Sequence, residues 1–343
     1  MNIGSEAHRP TGFTAVGGWQ HAVRNAVRSV SELLELLALD PADLDWFEPP
    51  GNDFPLRVPR GYIARMRRGD PHDPLLRQVL PTQAERGDEE GYSADPLREV
   101  TIARNGLLEK YPGRLLLVTT PVCPIHCRYC FRRHYPYDSQ SLSRSALDEL
   151  IADLERRTDV REIILSGGDP LSLSNSRLRE LVVALGELGS VTTLRIHTRF
   201  PIVLPERVDR GLQCVLERSR LNTVIVTHCN HANELDSTVI SAIERFRQCG
   251  ATLLNQSVLL RGVNDNVTDL ESLSYGLFEA GILPYYLHQL DRVAGAAHFE
   301  VSDARAEALV GGLRDRVAGY LVPRLVREIP GELSKKPLGE SHL

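Results

Sequence analysis

Residues 115–130 read Leu-Leu-Leu-Val-Thr-Thr-Pro-Val-Cys-Pro-Ile-His-Cys-Arg-Tyr-Cys, a short apolar run that empties into three cysteines. A run of this length and character, bounded by proline, suits a strand buried on both faces. Similar runs recur at 162–166, 192–198, 222–228, 251–259 and 283–289. Helical patterns separate them at 146–157, 178–188, 208–218, 234–249 and 269–280. After the first pair, the strand ends recur about every 30 residues, the size of one βαβ unit. Six such units predict an α/β fold, a partial (β/α)6 TIM-like barrel. A Rossmann sheet is the competing topology, but no GxGxxG follows any of the strands.

The strand ends sort the polar residues. Strand one ends in Cys123, Cys127 and Cys130; strand two in Ser166-Gly167-Gly168-Asp169-Pro170. Strand three ends in His197 and Arg199, and strand four in His228, Asn230, His231 and Asn233. Strand five carries Asn255 and Gln256; strand six ends in His288, Gln289 and Asp291. In a parallel barrel these ends form one rim, where active sites are built. Upstream, residues 20–39 show helical spacing, and 50–105 read as short helices and loops rich in Pro, Gly and Arg. The expected organisation is a mainly helical extension over 1–110, the barrel over 111–300, and a C-terminal helix and tail over 301–343 that closes the site.

Composition narrows the class. With 343 residues, 42% hydrophobic and 25% charged, the chain is of ordinary globular type, large enough for a barrel of about 250 residues plus an appendage. Forty bases against 45 acids give a net charge of −5, which argues against a broad nucleic-acid surface. No apolar run suits a membrane span, and residues 1–19 lack the pattern of a secretory signal. Six cysteines without such a signal point to reducing cytoplasm rather than to disulfides.

Cys123-x-x-x-Cys127-x-x-Cys130 offers three thiolates from one loop. They suit a 4Fe–4S cluster with one iron left open to a small molecule. The competing reading is a structural zinc completed by His126 or His134, which the lack of a distant second CxxC disfavours. Only three lysines occur, Lys110, Lys335 and Lys336, so any amine nucleophile is one of these.

The cysteine motif and its extension Phe131-Arg132-Arg133-His134 resemble the lysine 2,3-aminomutase family of the radical S-adenosylmethionine superfamily. Ser166–Leu171, 228–234, 255–265, 284–291 and Ser334-Lys335-Lys336-Pro337 carry the same resemblance. Leu56-Arg-Val-Pro-Arg60 and 73–79 resemble the branch that makes (R)-β-lysine for attachment to elongation factor P. The resemblance implies a 4Fe–4S cluster on Cys123, Cys127 and Cys130, with S-adenosyl-L-methionine and pyridoxal 5'-phosphate as the other cofactors. It implies an isomerase that acts on L-lysine, reduced by an electron donor and supplying a lysyl ligase of elongation factor P.

The resemblance also assigns roles. Lys335 is the Schiff-base lysine, with Lys110, Tyr111, Arg114 and, as a lesser candidate, Arg199 on the phosphate of pyridoxal phosphate. Gly167, Gly168, Asp169, His228 and Gln256 face S-adenosylmethionine. Arg132 takes the substrate carboxylate, and Asp291 and Glu328 take its ε-ammonium. Asn266 stands where a related branch has a zinc-binding cysteine, so structural zinc is not expected.

Overall fold

The computed structural model describes residues 18–44, 54–87, 89–103, 106–140 and 142–339. The readings placed on residues 1–17 and 45–53, including the missing secretory signal, lie outside the described residues.

Nine strands form one sheet in sequence order: β1 (Leu107–Tyr111), β2 (Arg114–Val118), β3 (Glu162–Ser166), β4 (Thr193–Thr198), β5 (Asn222–Thr227), β6 (Thr252–Val258), β7 (Leu283–His288), β8 (Arg324–Arg327) and β9 (Lys336–Pro337). Strands β2 to β8 run parallel, so all six expected units are present and one further parallel strand, β8, follows them. The two outer strands are antiparallel: β1 folds back on β2, and β9 lies against β8. No pairing joins β1 to β9 among the described residues, so the barrel is open.

The sheet is parallel because its strands are apolar on both faces. Ile163, Ile164, Leu165, Leu194, Ile196, Ile225 and Val226 are all buried, which requires helices on the outside and a packed lumen. The crossover helices start at polar caps. Ser143, Ser174, Asp209, Asp236, Asn266 and Ser302 each accept from a first-turn amide, worth about 1 kcal/mol apiece.

The N-terminal helices pack onto this body. Leu33, Leu34 and Leu37 fill one buried stripe, as their spacing predicts, and Trp19 meets Phe200 edge-on at 5.7 Å. The extension also grips the cysteine loop. The Arg57 guanidinium donates to the Cys123 carbonyl at 3.0 Å, and the amides of His126 and Arg128 donate to the carbonyls of Arg57 and Gln78.

Candidate active site

The three cysteines leave β2 on a loop with no regular secondary structure, and all three are free. Burial pushes the Cys123 thiol up, helped by Asp169 and the neighbouring thiols, and raises Cys130 to about 11. Thiols so placed resist ionising together; iron supplies the positive charge that deprotonates them. Among the described residues no three His, Cys, Asp or Glu side chains converge on a single-ion site. A cubane binds each thiolate through a different iron, so the donor set fits a cluster better than zinc. His126 and His134 are engaged elsewhere, with the carbonyls of Pro55 (2.7 Å) and Ala294 (3.2 Å).

Gly167 and Gly168 are required by the backbone of the segment entering the cysteine loop. A Cβ at Gly167, where φ is +123°, would lie 2.8 Å from the Thr120 carbonyl oxygen. At Gly168 it would lie 2.6 Å from the Val122 carbonyl oxygen. The Gly168 and Asp169 amides donate to those same carbonyls, Thr120 and Val122. Asp169, expected near charged groups of S-adenosylmethionine, spends its carboxylate on the protein: it accepts from Leu171 N (3.0 Å), Thr198 Oγ1 (2.8 Å) and Arg199 N (2.7 Å). Burial raises it to about 6 in spite of these donors.

Arg199 is also placed differently from its expectation. Its guanidinium donates to Cys127 Sγ, Tyr129, Gln78, Tyr62 and Glu234, all at the thiolate end. Among the described residues it makes no hydrogen bond or ion pair with Lys110, Tyr111 or Lys335, because β4 lies between β3 and β5 in the middle of the sheet rather than at its open edges.

A run of alternating charges leads from the cysteine loop to the tail. Arg132, two residues after Cys130, holds Glu99 with both Nε (2.6 Å) and Nη2 (3.0 Å). Its Nη1 donates to Ser166 Oγ at 2.8 Å and the Gly167 carbonyl at 3.3 Å. Glu99, 1% exposed, also pairs with Lys110 Nζ at 2.8 Å. Lys110 reaches Glu328 Oε1 at 2.6 Å, and Lys335 reaches Glu328 Oε2 at 2.6 Å. Burial opposes charge throughout, yet the carboxylates hold Lys110 above its ordinary range, and the two lysines hold Glu328 far below its own. Lys336, by contrast, is half-exposed and pairs with Glu332 at 2.9 Å. Tyr111 interacts with Glu328, and burial together with that carboxylate pushes its hydroxyl well up; the Arg114 guanidinium stacks 4.9 Å over its ring.

Asp291 lies in the same field but has no side-chain hydrogen bond or ion pair among the described residues. Burial, and then Glu328, lift it to about 7 against the pull of Lys335 and Lys110. The field of Lys335 also reaches three imidazoles. His228 Nε2 meets Gln256 Nε2 at 2.8 Å, uniting the two as expected, and burial lowers this imidazole to about 3. His197 and His288 are likewise held neutral, first by burial and then by nearby charges that include Lys335; their Nε2 atoms have no partner among the described residues. The Lys335 ammonium lies 5.7 Å above the Tyr286 ring.

Sequence reasoning did not single out Glu99, which joins both halves of the run. It left His197 and His288 without roles, although their position at strand ends signalled them. The donor sets fit the implied cofactors: three thiols for iron, a buried amine for a carbonyl, and Lys110, Tyr111 and Arg114 for a phosphate.

The Radical SAM superfamily model matches residues 117–272. The chain is 46% identical over 321 residues to L-lysine 2,3-aminomutase of Escherichia coli strain K12, covering 93% of this chain and 94% of that one. It is 33% identical over 322 residues to L-lysine 2,3-aminomutase of Clostridium subterminale, covering 93% and 77%. A radical SAM methyltransferase structure from Sphaerobacter thermophilus overlaps 64% of this chain and 68% of its own at a TM-score of 0.46 and 20% identity. With sequence likeness over nearly its whole length, the chain belongs to the lysine 2,3-aminomutase family of radical S-adenosylmethionine enzymes, which use a 4Fe–4S cluster, S-adenosylmethionine and pyridoxal phosphate.

Proposed function

We propose that this enzyme moves the amino group of L-α-lysine from C2 to C3 to give (R)-β-lysine, and that the product feeds a ligase modifying elongation factor P in the cytoplasm. The observation that carries the reading is the buried run Arg132–Glu99–Lys110–Glu328–Lys335, which ties the thiolate loop to one amine. The relatives named L-lysine 2,3-aminomutase support the substrate and the reaction. No helix among the described residues is long and apolar enough to cross a membrane. Residues 1–110, 111–300 and 301–343 serve as extension, barrel and closing tail.

Lysine offers no acidic or electrophilic handle between C2 and C3, so the bound cofactors supply radical chemistry and a carbonyl for the amine. The chain's own groups bind and orient. Cys123, Cys127 and Cys130 would hold the cluster, which would pass electrons from an external one-electron donor. Gly167, Gly168, His228 and Gln256 border the S-adenosylmethionine side; Asp169 supports that wall from behind through its three internal donors. Arg132 receives the substrate carboxylate at Nη1, whose present partners are neutral and therefore weaker than Glu99. Lys335 presents its amine to pyridoxal phosphate, with Lys110, Tyr111 and Arg114 on the phosphate. With Lys335 engaged by pyridoxal phosphate, Glu328 would keep Lys110 as its cation and Oε2 would be open to the ε-ammonium beside Asp291. The neutral His197 and His288 offer hydrogen bonds without a competing charge.

The test is anaerobic reconstitution with iron, sulfide and pyridoxal phosphate, then incubation with lysine, S-adenosylmethionine and a chemical reductant, with chiral analysis of the product. Formation of (R)-β-lysine is expected. An exclusively (S) product, or turnover only of another amino acid, overturns the reading.

A further inference from the structure

Arg199 follows β4 directly, and its backbone is pinned there: its amide donates to Asp169 Oδ2 at 2.7 Å. The side chain is 5% exposed and reaches the cysteine loop. Nη1 donates to Cys127 Sγ at 2.6 Å and to the Tyr129 hydroxyl at 2.5 Å. Nη2 donates to Gln78 Oε1 (2.8 Å), Glu234 Oε2 (2.9 Å) and the Tyr62 hydroxyl (3.1 Å). Glu234 is fully buried and cannot turn away, because its Oε1 accepts the amides of Asn230 (2.8 Å) and His231 (3.1 Å). The counter-charge thus sits on one nitrogen of the fork, and the other is aimed at sulfur.

We propose that Arg199 sets the reduction equilibrium of the cluster by donating a charged hydrogen bond to the Cys127 thiolate, with Glu234 as its opposing charge. This rests on the reading of Cys127 as a cluster ligand. A cubane held by three thiolates is already anionic when oxidised, and reduction adds one more negative charge. A guanidinium fixed at one sulfur in a buried site stabilises the reduced state more than the oxidised one, because hydrogen bonds and net charge around the sulfurs tune such potentials. Glu234 works in the opposite direction. The step itself is a one-electron transfer from a low-potential donor, which is oxidised by one electron; no bond forms or breaks and no proton moves.

A purely structural Arg199, tying the end of β4 to Glu234, predicts no systematic change in potential. The two roles separate in an EPR-monitored potentiometric titration of reconstituted holoenzyme without lysine or S-adenosylmethionine, using titanium(III) citrate as reductant. Arg199→Gln is expected to make reduction about tenfold less favourable, ~59 mV for a one-electron couple. Arg199→Lys keeps most of the effect. Glu234→Gln shifts the equilibrium the other way, and the cluster's own negative charge then compensates Arg199. Unchanged midpoints in Arg199→Gln and Glu234→Gln, or shifts of the same sign, with iron content intact, overturn the proposal. If Arg199→Gln does not fold, Glu234→Gln decides alone: a midpoint unchanged or lowered refutes it. A wild-type protein that takes up no cluster refutes the reading of the cysteine loop instead, a result distinct from unshifted midpoints.

Discussion

Glu234, fully buried, and Asp291, partly buried, are carboxylates at the rim of the same barrel, yet they are treated in opposite ways. Glu234 is met by two backbone amides, Arg199 and Gln78. Asp291 receives no side-chain donor among the described residues, and His197 and His288, which share the field of Lys335, each keep an Nε2 without a partner there. At the thiolate end the carboxylate is met on both oxygens, although Arg199 Nε stays buried without a partner among the described residues. The amine end keeps polar groups dry and unmet, which costs stability and leaves positions for ligand atoms.

The sharpest attack on this contrast is removal of one anchor at each end. Cys127→Ala should abolish iron uptake and turnover, and Lys335→Ala should abolish turnover with loss of the visible band of lysine-bound pyridoxal phosphate. Circular dichroism should show both folds retained, and Lys336→Ala should keep the band. Persistence of that band in Lys335→Ala would move the anchor to Lys336 or Lys110.

Stability tests come next. Arg199→Gln leaves Glu234 buried without its cation and should cost about 3–5 kcal/mol in urea unfolding. Asp291→Asn should do the reverse. Its folded-state value, about 7, lies above the ordinary 3.8. The protonated form is therefore favoured by folding, and this stability is lost as pH rises from 3.8 through about 7. At pH 8 the amide should stabilise the ligand-free protein by about 2 kcal/mol, read as a higher melting temperature. The same variant should weaken lysine binding by about 2 kcal/mol. In the wild type, lysine affinity should fall as pH drops below about 7, because Asp291 then gains a proton; in Asp291→Asn that limb should flatten. A melting temperature lowered at pH 8 would break the contrast between the two carboxylates.

Gly168→Ala tests the thiolate end through its backbone. The new methyl meets the Pro121–Val122 backbone and should cost about 1–3 kcal/mol by thermal denaturation, with iron content reduced as the cysteine loop shifts.

The barrel was legible because double-sided burial writes itself into consecutive β-branched and leucine residues, and because six strand ends carried reactive side chains. The four-residue β8 left no such trace; its Leu325 and Val326 read as part of a tail until β7 pairs with them. Glu99 was invisible for another reason. It sits in a four-residue helix in a loop-rich stretch, and its partners Arg132 and Lys110 come from separate elements. Sequence shows that Arg132, Lys110 and Glu328 are charged, but not which charges are already spent on one another. Arg199 was misplaced toward the phosphate on the same account: its destination follows from which strands flank β4, not from its residue type.

The unjoined margins of the sheet give the Lys110–Glu328–Lys335 triplet a second meaning. Lys110 lies on β1, Glu328 directly follows β8, and Lys335 directly precedes β9. The seam that backbone hydrogen bonds leave unsewn is therefore stitched by ammonium and carboxylate. A ligand bearing a phosphate and an ammonium would compete for those stitches, so filling the site would draw on the same charges that close the wall.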